Sequence, residues 1–178
     1  MIEFAVVAPM LLALVFGIFD FGRAMSANVT VTNSAREAAR SASTHAVDWP
    51  TPTTAGWPLA YQGRFGFDCP TGTPLTVPDA GPTQAAWIQA QAANLDLSQL
   101  SITVSYFDPD NDPALDRPAN DVQSCSSGRA TESNPGYTPA SGGWVRVEVS
   151  YRYAPVTPVI SSMFSHVTVD QTATMVLE

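Results

Sequence analysis

The pattern of apolar and polar positions changes character several times along this chain. From Phe4 to Phe19 every position is apolar or small, with Glu3 just before the run and Asp20 just after it. About sixteen such residues, at ~1.5 Å rise, make a helix of roughly 24 Å, close to the ~30 Å of a bilayer core. Roughly ten of these side chains are large, and exposing each costs about 1.5–3 kcal/mol, more in total than the ~5–15 kcal/mol that holds a domain together. The run belongs in lipid or among other helices. Past Asp20 the period becomes that of an amphipathic helix. Ala24, Ala27, Val31, Ala35, Ala38, Ala39 and Ala42 recur at three- and four-residue steps, while Asn28, Thr32, Arg36 and Arg40 fall largely on other faces. Gly17 and Gly22 loosen the path, Pro9 removes a backbone donor and predicts a kink or local melting, and Asp48-Trp49-Pro50 predicts the stop. One helix of about 45 residues follows, apolar in its first half and amphipathic in its second.

After Pro50 the chain turns to proline and glycine as far as Pro82, a stiffened loop in which Trp57, Tyr61, Phe65 and Phe67 pack as staples. Thr83 to Asn94 reads as a short helix capped by Asp79 or Thr83. Leu100–Phe107 alternates strictly, a half-buried strand, and Asp108–Gly143 reads as a second long loop. Val145, Val147, Val149, Tyr151 and Tyr153 then share one face of the clearest strand, opposite Arg146, Glu148, Ser150 and Arg152. After a connector, Pro158 to Phe164, Val167 to Leu177 forms a third strand. The expected class is α+β: a long N-terminal helix packed on a small antiparallel sheet of three or slightly more strands, with two long loops. The expected divisions are 1–23 for assembly or membrane, 24–48 for the amphipathic half of the same helix, and 49–178 for a globular head.

Charge narrows the function. The formal net charge is -8 and the eight basic residues are all arginine, which argues against a nucleic-acid partner and against docking on anionic lipid. Cys69 and Cys125 are too few for a disulfide scaffold and lack zinc spacing. One disulfide of an exported protein suits them, closing about 57 residues and contributing roughly 4 kcal/mol, against the alternative of two buried thiols. Arginines follow the apolar run and none precedes it, which by the positive-inside rule puts the head on the cytoplasmic side, whereas the cysteines and acidic surface suit the outside. A basic leader removed ahead of Met1 reconciles the two. The rival is a secretory signal cut near Ala24-Met25-Ser26, which lacks the basic segment such signals carry.

Glu3-Phe4-Ala5-Val6-Val7-Ala8-Pro9-Met10-Leu11-Leu12, with Phe16-Gly17-Ile18-Phe19-Asp20-Phe21-Gly22-Arg23, resembles the N-terminus of TadE-like proteins, the tight-adherence branch of the type IV pilus superfamily. Val31-Thr32-Asn33-Ser34-Ala35-Arg36-Glu37-Ala38-Ala39-Arg40 is similar to that family's second block. The resemblance covers about the first 40 residues. It implies a pilin-like fold and a subunit cut by a prepilin peptidase, taken from the inner membrane by pilus assembly machinery, and built as a homo-oligomer into an extracellular helical filament. It places assembly on Glu3, Phe4, Pro9, Leu12, Phe16, Gly17 and Phe19. Processed pilins of the superfamily usually carry the glutamate at the fifth position, and here it is the third, so either residues precede Met1 or the cut differs.

Three constellations bear on chemistry. Glu3 in an apolar environment calls for a cation, and an N-terminal ammonium is available; the bland alternative puts Glu3 in the headgroup layer. Asp108, Asp110 and Asp112 alternate like calcium ligands, yet Pro113 and Ala119 occupy positions where an EF-hand loop has glycine and glutamate, and a solvated acidic loop is the commoner reading. No other cofactor is indicated. His45 and His166 are the only histidines and neither sits in a triad or metal spacing, so no enzyme is expected. Trp49, Trp57, Tyr61, Phe65 and Phe67 serve a ligand-binding patch or, more commonly, loop packing. A filament subunit is the first reading. A minor pseudopilin that primes or anchors another filament and a monomeric membrane-anchored adhesin are the alternatives.

Overall fold

The computed structural model describes residues 2–45, 86, 89–90, 93–115, 118–126, 129–134, 137, 139–157, 161 and 165–178. Helix α1 runs Ile2–His45, 44 residues, about 66 Å at 1.5 Å per residue. It continues through Pro9 without interruption, so the expected melting does not occur. The ring removes one backbone hydrogen bond, and cooperative helix on both sides outweighs that loss. The predicted stop at Asp48–Pro50 lies outside the described residues, as do the Pro-rich stretch with its aromatic residues, the caps Asp79 and Thr83, and Cys69. Of the expected short helix, Ala86, Gln89 and Ala90 are helical, and Ala86 and Ala90 are fully buried one turn apart.

Five antiparallel strands form one sheet in the order β3-β2-β1-β4-β5: β1 Leu100–Phe107, β2 Asp121–Ser126, β3 Arg129–Glu132, β4 Trp144–Tyr153 and β5 Val167–Val176. Three of them stand where the alternation put them. The second long loop is a correction, because residues 108–143 also supply β2 and β3 and a 3-10 turn at Pro113–Leu115. Their alternation is hidden because β2 turns Asp121, Gln123 and Cys125 inward, and a buried acid and amide look polar in a hydropathy pattern. Cys125 therefore lies on a strand rather than in a loop.

One face of the sheet is apolar. Ile102 pairs with Cys125 on one side and Val149 on the other, and Val147 with Val104 and Ala173. Against β4 and β5 lies the second half of α1, burying Ala27, Val31, Ala35, Ala38, Ala39 and Ala42. Only small side chains lie on that stripe apart from Val31, so the helix axis comes close to the sheet. Polar contacts fix its register: Gln171 Nε2 donates to Asn28 Oδ1 at 3.2 Å and the Glu178 N–H donates to the Ser43 carbonyl at 3.1 Å. Before β4, Gly142 takes φ +81° and Gly143 sits where a Cβ would come within 2.5 Å of the Phe107 carbonyl. Only glycine fits there.

The close approach predicts an asymmetry along α1. Ala38→Leu should lower stability by about 1–3 kcal/mol through overpacking, whereas Arg36→Leu, on the exposed side, should change it by less than about 0.5 kcal/mol. Denaturant unfolding of the full chain in detergent measures both.

Candidate assembly surface

Helical periodicity predicts a fully apolar first half for α1, and the structure shows what that half touches. Phe4 is 77 % exposed, Leu12 52 %, Phe16 52 % and Phe19 67 %. Pro9 is also exposed and Gly17 half-buried, with nothing within 4 Å of a Cβ built on it. The backbone of Glu3 is helical. The arm thus projects from the head, presenting large apolar side chains on all sides. By length and composition this helix can cross a membrane, with a most apolar window of mean hydropathy 1.6. Lipid or other apolar helices are the environments that remove such a surface from water.

The arm ends at a residue that hydropathy alone did not single out. Asp20 is 6 % exposed. Its Oδ2 accepts the Thr157 N–H at 2.8 Å, and its Oδ1 accepts the Val156 N–H at 3.2 Å and the Tyr153 hydroxyl at 3.3 Å. The Tyr153 hydroxyl also lies 3.2 Å from the Asp20 carbonyl, and Thr157 Oγ1 donates to the Phe16 carbonyl at 3.4 Å. Arg23 stacks over the Tyr153 ring at 5.7 Å from its centroid. A carboxylate that accepts several donors is a strong anchor, and this one ties the helix to the chain leaving β4. A signal did exist in the sequence: Asp20 precedes Ala24, Ala27 and Val31 by four, seven and eleven residues, so it shares their head-facing side.

The acidic loop folds around its own donors. Asp108 Oδ1 accepts the Tyr137 hydroxyl at 2.6 Å and Oδ2 accepts Asn120 Nδ2 at 2.5 Å. Burial, and then the hydrogen bond to Asp108, push the Tyr137 hydroxyl well above the usual phenol range. Asp112 Oδ1 accepts the Ala114 N–H at 2.8 Å. Among the described residues no group of three or more His, Cys, Asp or Glu side chains converges as a metal site, and Asp108, Asp110 and Asp112 are not brought together. Asp121, 1 % exposed, accepts the Ser133 hydroxyl, the Asn134 N–H and Gln123 Nε2, which secures β3 against β2. Cys125 is fully buried. Arg36, Glu37 and Arg40 are exposed along α1, and His166 is exposed beside β5.

Residues 1–40 match the family model described as TadE-like protein. The match covers the arm, Asp20 and the alanine stripe as far as Ala39, and it is consistent with a pilus-associated protein. Neither the curated proteins nor the solved structures contain a match.

Removing the carboxylate should loosen the arm's root without disturbing the sheet. In Asp20→Ala, hydrogen exchange at the Val156 and Thr157 amides should rise sharply while the β1 and β4 amides stay protected. Asp20→Asn, which keeps one acceptor oxygen, should fall between Ala and wild type.

Proposed function

We propose that this chain is a structural subunit of an extracellular pilus filament. The first half of α1 holds it in the membrane before assembly and packs with other copies afterwards. The exposed arm carries the proposal. Its apolar side chains are too many to leave in water, and among the described residues the head does not cover them. The family match over residues 1–40 supports it. In this reading a prepilin peptidase processes the chain and pilus assembly machinery extracts it from the membrane. Phe4, Pro9, Leu12, Phe16, Gly17 and Phe19 pack in the filament core, where Ala5, Ala8, Ala13 and Gly17 let backbones approach. The head forms the outer surface, and the role is structural rather than catalytic.

Glu3 has a specific task in this reading. Its carboxylate neutralises the N-terminal ammonium of a subunit in the core, because an unpaired charge among apolar helices costs about 2.5–3.5 kcal/mol on insertion scales. We also propose that Cys69 and Cys125 pair. Cys125 is buried in β2 and no free cysteine occurs among the described residues.

Electron microscopy and mass spectrometry of material sheared from the producing cell's surface test the central claim. Filaments dominated by this chain are the expected result. Filaments of another protein, with this chain scarce or retained in the membrane, would identify a priming or anchoring pseudopilin instead, and its recovery only as a membrane monomer would favour an adhesin. Glu3→Ala should reduce the yield of sheared filaments several-fold while the membrane pool persists. Intact mass of the purified chain should be two hydrogens below the reduced value.

A further inference from the structure

The chain that leaves β4 turns back along the arm. Its Thr157 N–H donates to Asp20 at 2.8 Å, and Thr157 Oγ1 donates to the Phe16 carbonyl at 3.4 Å. Phe16 and Asp20 are one turn apart, about 6 Å, and Phe16 belongs to the apolar run. This part of the head therefore lies beside the last turn of that run and not only beyond it. The level is set by where the run ends, whichever residue begins it.

What the head presents at this level is uncharged. No residue from Tyr153 to Ser165 carries a charge. Such a stretch is ordinary in a chain this poor in charge; its place beside the apolar run gives it meaning. Val156 is 66 % exposed, and Val167, which pairs with Tyr153 at the start of β5, is 44 % exposed. The one carboxylate here, Asp20, is taken up by the Tyr153 hydroxyl and two backbone N–H groups. On the helix the first exposed charge is Arg23, about 5 Å further on. Arg152 stands immediately before the uncharged stretch and His166 immediately after it, both exposed and both able to donate to phosphate. Exposed apolar side chains bounded by such donors suit the interfacial layer of a bilayer. The formal net charge of -8 tells against a head drawn to anionic lipid, and this contact needs no such attraction. It continues the apolar burial of the arm onto the head.

We infer that the segment between β4 and β5 is a second membrane contact. Before assembly, Val156 and Val167 sit in the interfacial layer of the phospholipid bilayer that holds the arm, with Arg152 and His166 at the level of the lipid phosphates. The inference rests on the reading of the arm as the membrane segment. It adds that the head is seated on the bilayer and does not swing free above it, so that lifting a subunit out has to release this contact as well as the arm.

Full-length chain in phosphatidylcholine vesicles tests this, with a nitrobenzoxadiazole dye attached at one position at a time through Val156→Cys, Val167→Cys or Val176→Cys. Val176 is 45 % exposed, matching Val167, but lies at the other end of β5, about 30 Å away. Wild type, which keeps Cys69 and Cys125, is the labelling control. Dye at 156 and 167 should be quenched several-fold more by doxyl-labelled lipid, and several-fold less by aqueous iodide, than dye at 176. Val156→Asp should raise iodide quenching at 167 to the level at 176 while the chain stays with the vesicles. Equal iodide quenching at all three positions, or indifference of position 167 to Val156→Asp, would overturn the inference. So would protection that appears only as the protein-to-lipid ratio rises, the mark of a second copy in place of lipid. The underlying reading fails separately. A chain that does not stay with vesicles would reject the arm as the membrane segment, whereas a vesicle-bound chain whose positions 156 and 167 stay open to iodide would reject the second contact alone.

Discussion

Everything in this molecule depends on how closely α1 can approach the sheet. A helix normally stands about 10 Å from the surface it packs on, and a stripe of alanine is what lets it come closer. Ala27, Ala35, Ala38, Ala39 and Ala42 form that stripe, with Val31 as the single larger contact, against the valine and tyrosine face of β4 and the inner side of β5. A larger residue anywhere along it would push the axis away from Val147 and Val149 and pull the polar ties at Asn28 and Ser43 out of reach. Among the described residues the side of α1 away from this stripe stays exposed, as at Met25, Val29, Arg36 and Arg40. One helix can therefore hold a head on one side and offer apolar surface on another.

The two most buried carboxylates described here do different work by similar means. Asp20 gathers two backbone N–H groups and a tyrosine hydroxyl, joining the helix to the segment after β4. Asp121 gathers a serine hydroxyl, a backbone N–H and an amide, joining β2 to the residues after β3. Asp20 stands where the apolar run of α1 ends and Asp121 where β2 begins, and each satisfies groups that would otherwise be buried without partners. The sheet's inner face supplies hydrophobic adhesion, and these carboxylates decide which segments lie where on it.

How much of this was legible follows from the kind of signal each element leaves. Helix α1 and strands β1, β4 and β5 could be read because their buried positions are apolar and spaced at the period of the element. Ala24 through Ala42 marks the head-facing side with no ambiguity. Strands β2 and β3 could not, because Asp121 and Gln123 occupy buried positions and read as polar, although their partners lie only two to thirteen residues away. Asp20 fell between the two cases. Its place on the alanine side was visible, but its partners Tyr153, Val156 and Thr157 lie more than 130 residues away, and nothing local announces them. The uninterrupted course through Pro9 also had no local signal, since it depends on helix on both sides of the proline.

The ties at the two ends of the head-bound helix have a mechanical meaning. Asp20 is held at one end and Ser43 at the other, where the Glu178 N–H reaches its carbonyl, about 34 Å apart along the axis. Between them the helix lies along the sheet rather than across it. A pull on the arm directed along its own axis therefore loads the anchor, the alanine contacts and the distal tie together, in shear. A sideways pull at the arm's root would instead open them one after another, beginning at Asp20. The two ties and the contacts between them resist tension along the helix together and yield to bending one at a time.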